Sequence, residues 1–264
     1  MKFTKMHGLG NDYLYVFGEV PENVAELCTK LSNRHFGAGS DGMIFISQSD
    51  TADFRMRIFN ADGSEAMMCG NGIRCVGKYV FDKGYTNKTK LKIETLSGIK
   101  TLALSVKNGK VDSVTVDMGK AEVSEKAILK IGGDTLRCIP VSVGNPHAVN
   151  FVESVEDYPV ETIGRVLERH PIFPGGVNVE FAQIIDRRTI RMRVWERGSG
   201  ITMACGTGAC ATASAAVSKG FCDFGEPITV RLDGGNLKIT VSKDYSITME
   251  GPAETVYEGE CEIC

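Results

Sequence analysis

The chain has 264 residues, of which 42% are hydrophobic and 24% charged, and its net charge is −3. This length predicts about two domains, and the composition is typical of a globular protein rather than a disordered one. The charge balance argues against a nucleic-acid partner, and no apolar run approaches the roughly 18 residues of a membrane span. Residues 1–12 show no apolar signal-peptide segment, so we expect a cytoplasmic protein with mostly reduced thiols.

Hydrophobic periodicity predicts the same order of elements twice along the chain. In the first half, an extended opening precedes a helix, two strands, a second helix and three strands, at 2–6, 24–33, 43–47, 54–59, 73–83, 91–94, 100–106 and 113–116. The same order follows at 136–143, 160–169, 177–185, 190–195, 209–219, 228–231, 237–241 and 246–250. We therefore expect an α/β (α+β) fold of two similar halves, each a mostly antiparallel sheet rolled around a central helix.

Sequence matches support this duplication. The segment RMRIFN at 55–60 returns as RMRVWE at 191–196, and CGNG at 69–72 returns as CGTG at 205–208. GMIFI at 42–46 aligns loosely with NVEFA at 178–182, and GND at 10–12 aligns with GNP at 144–146. Four matches in one order indicate a duplicated domain with a pseudo-twofold axis. We predict one half at 1–118 and another at 119–252.

Each CGxG motif places a cysteine at a predicted strand-to-helix turn. Glycine lets the backbone approach a ligand closely, and the first amides of a helix are unpaired and carry the positive end of its dipole. Such a turn can bind a carboxylate, and it predicts a thiol pKa below the usual value of about 8.5.

If the two halves face each other, Cys69 and Cys205 reach one cleft from opposite sides. One thiolate could then remove a proton from a carbon while the other thiol delivers a proton to the opposite face, which inverts a stereocentre. Amides at each helix start would stabilise the developing negative charge on a carboxylate. The candidates for this and for other substrate contacts are Gly70, Asn71, Gly206, Thr207, Asn11, Asn60, Asn145, Asn178, Glu196 and Arg197. His147 could assist a thiol.

Other interpretations of the motifs remain open from the residues alone. One cysteine and a histidine could form a covalent intermediate, which would leave the second CGxG unexplained. A duplicated binding module could hold an anionic ligand at the two helix starts, and its cysteines would tolerate serine. The spacings of Cys69 with Cys75 and of Cys205 with Cys210 do not fit zinc, and no nucleotide-binding glycine motif occurs, so we expect no metal and no cofactor.

The chain resembles the diaminopimelate epimerase family over nearly its full length. The residues that carry the resemblance are HGLGNDY at 7–13, FNADGSEAMMCGNGIRC at 59–75, GNPHAV at 144–149, GVNVEF at 176–181 and WERGSGITMACGTGACA at 195–211. Tyr13 and Trp195 stand where the family often has phenylalanine and tyrosine. Gly42 stands where some members have a glutamine that contacts substrate, so that contact is not expected here.

The resemblance implies interconversion of LL- and meso-2,6-diaminopimelate for lysine and peptidoglycan precursors, without a cofactor. Cys69 and Cys205 would be the acid/base pair, and His147 and Glu196 would support them. The implied substrate contacts are Asn11, Asn60, Gly70, Asn71, Asn145, Asn178, Glu196, Arg197, Gly206 and Thr207. The resemblance also implies a homodimer, and a final segment at 253–264 whose strand, fitting residues 254–258, returns to the first half.

Overall fold

The computed structural model describes residues 1–131 and 134–262, and the chain divides into two compact units. One unit comprises Met1–Asp117 together with the chain from Gly251 onward, and the other comprises Met118–Glu250. Of the predicted final segment, residues 263 and 264 lie outside the described residues.

Eight strands and two helices make up the chain through residue 120. They are β1 (Lys2–Gly8), β2 (Asn11–Phe17), α1 (Val24–Ser32), β3 (Gly42–Ser47), β4 (Phe54–Asn60), β5 (Glu65–Ala66), α2 (Gly70–Asp82), β6 (Lys90–Thr95), β7 (Gly98–Lys107) and β8 (Lys110–Lys120). The division between the two units falls inside β8.

The rest of the described chain contains two more helices and eleven more strands. They are β9 (Glu122–Val123), β10 (Ala127–Ile131), β11 (Asp134–Ser142), β12 (Pro146–Phe151), α3 (Val160–Glu168), β13 (Asn178–Asp186), β14 (Thr189–Glu196), β15 (Gly200–Thr202), α4 (Gly206–Ser218), β16 (Ile228–Leu232), β17 (Gly235–Val241), β18 (Ser246–Gly251) and β19 (Glu254–Glu260).

The sheet of the first unit is mixed but mostly antiparallel. Strand β1 pairs antiparallel with both β19 and β2, and β2 then pairs in parallel with β3. The order continues through β4, β6, β7 and β8, with a parallel pair only at β4–β6. Helix α2 contacts β1, β2 and β7, and α1 contacts β3 and β4.

The second unit repeats this order of pairings. Strand β11 pairs with β9 and β12, β12 pairs in parallel with β13, and β14 pairs in parallel with β16. The register also repeats, because Ile44 lies opposite Ile58 in one unit and Glu180 lies opposite Val194 in the other. Glu180 and Val194 each come 136 residues after their counterparts, Ile44 and Ile58. Residues that match in the repeated sequence therefore occupy equivalent positions in the two sheets.

Helix α4 is the core element of the second unit, and its composition explains why. It reads GTGACATASAAVS, and every residue except Thr207 and Ser218 is buried. It contacts β11, β12, β13 and β17. Small side chains let strands approach a helix closely, as in α2, where a Cβ on Gly77 would lie 2.9 Å from Leu102 Cδ2 and from Leu104 Cδ2.

The predicted fold class is confirmed, and the differences concern particular elements. Strands β2 and β12 begin within the GND and GNP segments. They were not predicted, because they are buried along nearly their whole length and lack the alternation of a half-exposed strand. Both motif helices begin three residues earlier than predicted, at Gly70 and Gly206, because their first turns contain poor helix formers. Within the described part of the chain, no helix is both long and apolar enough to span a membrane.

Candidate active site

Cys69 and Cys205 occupy the same position, the N-cap of a buried helix. Each has an extended backbone, with φ −134° and ψ 116° at Cys69 and φ −122° and ψ 112° at Cys205. Cys69 Sγ accepts a hydrogen bond from the Gly72 amide at 3.3 Å, and Cys205 Sγ accepts one from the Gly208 amide at 3.4 Å. Sulfur therefore takes the place of the oxygen that usually caps a helix, and it lies at the positive end of the dipole.

In the first unit, Asn11 connects the Cys69 thiol to an acidic residue. Cys69 Sγ donates to Asn11 Oδ1 at 3.2 Å, and Asn11 Nδ2 donates to Asp41 Oδ2 at 2.8 Å. A carboxylate only accepts hydrogen bonds, so Asp41 turns the amide nitrogen toward itself and the amide oxygen toward the sulfur. Arg34 pairs with Asp41 at 2.8 Å and holds the carboxylate in place.

Three further predicted contacts lie near this cysteine in sequence. Gly70 and Asn71 form the first turn of α2, and both are buried. Asn60, the last residue of β4, donates from Nδ2 to Ser64 Oγ at 3.1 Å and is partly exposed. A Cβ on Gly42, opposite Asn60 in the sheet, would lie 2.0 Å from Phe59 O. The neighbouring strand's backbone therefore leaves no room for a glutamine side chain at position 42.

In the second unit, a chain of polar contacts leads to the Cys205 thiol. Thr207 Oγ1 lies 3.6 Å from Cys205 Sγ and accepts from Asn145 Nδ2 at 3.3 Å. The oxygen of that same amide lies 3.1 Å from His147 Nε2, and His147 Nδ1 lies 2.7 Å from Glu180 Oε1. The side chains of Asn145 and Thr207 therefore link His147 to the Cys205 sulfur.

Glu196 lies beside the same thiol. Thr202 Oγ1 donates to Glu196 Oε1 at 2.5 Å. Burial raises the pKa of Glu196 above its ordinary value, although hydrogen bonds from Thr202 and Cys205 work against that shift. This carboxyl group is therefore easier to protonate than an ordinary glutamate.

The expected lowering of the thiol pKa is wrong for Cys205. Burial raises its pKa well above the ordinary value, and the negative charges of Glu196 and Glu180 raise it further. Hydrogen bonds from Thr207 and from the Gly208 amide act in the opposite direction but do not outweigh the burial. The sequence pattern revealed the helix start, which favours a thiolate, but neither the depth of burial nor the two carboxylates, which disfavour one.

Asn178 and Arg197 come together in the second unit. The Arg197 amide donates to Asn178 Oδ1 at 2.8 Å, and Arg197 Nη1 donates to Gly175 O at 3.0 Å. Arg197 also borders an open cavity of about 410 Å³ together with Glu168 and His170. Its guanidinium is exposed, so it remains available to an anionic group.

The other thiols have no comparable setting. The buried ones are Cys28, Cys75, Cys138, Cys210 and Cys222. Burial raises the pKa of Cys75, Cys138 and Cys222 to about 11. Among the described residues no cysteine forms a disulfide, and no group of three or more His, Cys, Asp or Glu side chains is placed to hold a metal ion. Cys264 lies outside the described part of the chain.

Sequence reasoning missed three residues of these sites: Asp41, Glu180 and Thr202. A signal for Glu180 was present in the sequence, because the alignment of GMIFI with NVEFA makes Glu180 the counterpart of Ile44 in the repeat. A charged residue aligned with an apolar one in a duplicated buried strand indicates a local role for the charge. Asp41 and Thr202 gave no such signal, since both lie in connecting or edge segments.

Solved structures define the class of fold. A phenazine biosynthesis protein from Bacillus anthracis matches with a TM-score of 0.79 and 19% identity, over 100% of this chain and 99% of that one. A hydroxyproline epimerase from Agrobacterium vitis matches with a TM-score of 0.74 and 18% identity, over 98% of this chain and 90% of that one. The chain therefore has the fold that these proteins share.

Sequence comparison identifies the family within that fold. A model of the diaminopimelate epimerase family matches residues 3–124 and 139–256. The diaminopimelate epimerase of Acetivibrio thermocellus is 51% identical over 100% of this chain and 99% of its own length, and that of Methanococcus maripaludis strain C5 is 53% identical over 100% of both. The chain belongs to the diaminopimelate epimerase family, as its motifs predicted.

Proposed function

We propose that this protein interconverts LL- and meso-2,6-diaminopimelate by proton transfer at one α-carbon, with Cys69 and Cys205 as the acid/base pair. The observation that carries the proposal is the pair of equivalent N-cap thiols in a chain about half identical to diaminopimelate epimerases over its whole length. A single-thiol mechanism and a binding module each leave this equivalence without a purpose.

In the proposed reaction, a thiolate takes the α-proton and the C–H electron pair passes to the α-carbon and its carboxylate. The thiol on the opposite face then gives its proton to that carbon, and its S–H electron pair stays on sulfur. The configuration is inverted, no electrons are gained or lost, and the two sulfurs exchange protonation states. The reverse reaction uses the same groups in exchanged roles, so no pyridoxal phosphate is required.

We assign stabilisation of the intermediate to the helix starts. The amides of Gly70 and Asn71 and those of Gly206 and Thr207 would donate to the reacting carboxylate as it gains charge. One such donor is worth roughly 3–4 kcal/mol of barrier in other enzymes. An α-proton beside a carboxylate is very weakly acidic, so the proposed mechanism requires amide donors from both helix N-termini.

The remaining proposed roles concern polar groups of the substrate and support of the thiols. Glu196 would tune Cys205 directly, and His147 would act on it through intervening side chains. We propose that the substrate is also contacted by Asn11, Asn60, Asn145, Asn178, Glu196 and Arg197. We further propose a cytoplasmic homodimer that serves lysine and peptidoglycan precursor synthesis, which are the properties implied by the family.

Proton NMR in deuterium oxide tests this function. With LL-diaminopimelate, we expect reduced wild-type protein to form the meso isomer with deuterium at one α-carbon. Cys69→Ser and Cys205→Ser should each lose epimerisation, whereas Cys138→Ala, which removes a buried core thiol, should retain it. Loss in only one serine variant would favour the single-thiol mechanism, and no turnover by wild type with retained ligand binding would favour a binding module.

A further inference from the structure

Glu180 and His147 form a hydrogen-bonded contact between two ionisable side chains that has no solvent exposure at all. Glu180 Oε1 lies 2.7 Å from His147 Nδ1, and both side chains are 0% exposed. Removing two ionisable groups from water is unfavourable, and replacing such a pair with apolar residues often leaves a protein equally stable. Stability is therefore a weak reason for this pair to exist.

The first unit shows that the fold accepts an apolar residue at this position. Ile44 has the same place in the sheet, since it lies beside Tyr15 as Glu180 lies beside Val149. Ile44 is fully buried. The carboxyl group of Glu180 is thus an addition to the second unit only, beside its reactive thiol.

The hydrogen bonds that lead from His147 to Cys205 all have the same direction. The amide oxygen of Asn145 only accepts, so His147 Nε2, 3.1 Å away, carries a hydrogen. Asn145 Nδ2 then donates to Thr207 Oγ1 at 3.3 Å. The hydroxyl hydrogen of Thr207 is left for Cys205 Sγ at 3.6 Å. Every bond in this relay therefore donates toward the sulfur.

We propose that Glu180 is a positioning residue that keeps hydrogen on His147 Nε2 and so directs this relay toward the Cys205 sulfur. A neutral carboxyl group donates to Nδ1, and an imidazolium donates from Nδ1 to the carboxylate; in both of these states Nε2 carries a hydrogen. The third state, a carboxylate facing a neutral ring with hydrogen on Nδ1 alone, would leave Nε2 without one and reverse the relay, so it is the state that the proposal excludes. The catalytic value of this direction rests on the proposed epimerisation, in which Cys205 must pass through the thiolate form.

Without a hydrogen-bonding group at Nδ1, the opposite direction becomes available. The imidazole hydrogen can move to Nδ1, the Asn145 amide can turn over, and Thr207 can then accept from the Cys205 thiol instead of donating to the thiolate. A hydrogen bond from Thr207 lowers the pKa of Cys205, so its reversal would make the thiolate harder to form. The negative charge of Glu180 itself raises that pKa, so its removal acts in the opposite direction, and two uncharged replacements must be compared with each other to isolate the hydrogen bond. We expect a rate loss of about 10- to 100-fold, the usual worth of one hydrogen bond to a charged atom.

Two substitutions of Glu180 separate direction from packing. In Glu180→Gln, the amide nitrogen can donate to Nδ1, and the amide oxygen takes the place of Oε2, which has no hydrogen-bond partner among the described residues. In Glu180→Met, a side chain of similar length offers no hydrogen bond. We expect kcat within about threefold of wild type for glutamine and about 10- to 100-fold lower for methionine, with KM nearly unchanged in both.

Two further measurements distinguish a relay from a structural effect. Nitrogen-15 NMR of His147 should show hydrogen on Nε2 in wild type and in Glu180→Gln, and hydrogen on Nδ1 in a substantial fraction of Glu180→Met. In a Thr207→Val background, which ends the relay before the sulfur, Glu180→Met should cause no additional loss of kcat. Asp82→Asn, which removes a carboxylate paired with Lys78 at 2.8 Å at the far end of α2, is the matched control and should leave kcat unchanged.

The proposal is overturned by wild-type turnover in Glu180→Met, by equal losses in the two Glu180 variants, or by losses that multiply in the double variant. Should Glu180→Met fail to fold, the wild-type NMR spectrum decides, because a hydrogen on Nδ1 alone contradicts the relay and one on Nε2 supports it. Failure of the proposed function is distinguishable, since wild type would then lack epimerase activity while the NMR spectrum of His147 could still be measured.

Discussion

Replacing Gly208 with alanine should reduce turnover far more than it reduces stability. A Cβ at this position would lie 2.7 Å from Glu180 Oε1 and 3.2 Å from Cys205 Sγ. The first distance is shorter than van der Waals contact allows, so the carboxyl group or the start of the helix must shift. Either shift disturbs the 2.7 Å contact between Glu180 and His147.

The expected cost in stability is modest because two effects oppose each other. Overpacking a buried site usually costs about 1–3 kcal/mol, whereas alanine is favoured over glycine in a helix by about 1 kcal/mol. The net loss of about 0–2 kcal/mol is small against the roughly 5–15 kcal/mol of a typical domain. Turnover should fall at least about tenfold, because a catalytic hydrogen bond depends on alignment within about 0.5 Å.

Gly72→Ala is the matched control in the other unit. Its Cβ would lie 2.7 Å from Ile44 Cδ1 and 3.3 Å from Met56 Cε, which are the ends of apolar side chains. Thermal unfolding should show similar losses of stability for the two variants, while steady-state kinetics should show the larger loss of kcat for Gly208→Ala. Equal losses of kcat in both variants would refute the reasoning.

Three other substitutions test the electrostatics and the backbone. Glu196→Gln should lower the pKa of Cys205, because it removes a negative charge beside that thiol; thiolate absorbance as a function of pH measures it. Gly42→Gln should cost more than about 3 kcal/mol in denaturant unfolding, because its Cβ would lie 2.0 Å from a backbone oxygen of the neighbouring strand. Asp12→Asn should make stability depend less on pH in acid. Burial alone would raise the Asp12 pKa, but Arg34 and Lys5, each 2.8 Å from its carboxylate, lower it below its usual value. The stabilising contribution of Asp12 is therefore present above about pH 4 and is lost as the pH falls.

Each of these expectations has a contradicting result. A thiolate titration of Glu196→Gln that matches wild type would show that the carboxyl group carries no charge there. Wild-type stability of Gly42→Gln would mean that the strand pair separates easily. An acid limb of the same slope in Asp12→Asn and wild type would remove Asp12 from the account of acid unfolding.

The sequence was informative about the cysteines because both are marked by the same local pattern. CGNG and CGTG each combine a strand end, a cysteine and the first turn of a helix, and such local relations can be read from adjacent residues. The repeated segments added the equivalence of the two positions. The α/β plan followed from the same repeated order of helices and strands.

What the sequence could not provide were the contacts between residues far apart along the chain. Asp41 reaches Asn11 across 30 positions, and Glu180 reaches His147 across 33. Periodicity records which face of a strand is buried but not which side chain of the neighbouring strand lies opposite. The pKa of Cys205 was mispredicted for this reason, since its burial and its acidic neighbours depend on tertiary packing.

Duplication and divergence contribute different things to the proposed chemistry. Two copies of one strand-to-helix turn provide two equivalent sulfurs. If their surroundings were also equivalent, neither sulfur would be favoured as the one that is ionised at the start of a turnover. The polar surroundings differ instead: Cys69 donates to an amide oxygen held by Asp41, whereas Cys205 lies among carboxyl groups and the Glu180 relay. Because one thiol must be protonated while the other is ionised at the start of each turnover, surroundings of unequal charge favour one starting state over the other. In the proposed mechanism, the residues that differ between the two units therefore determine the order of proton transfers.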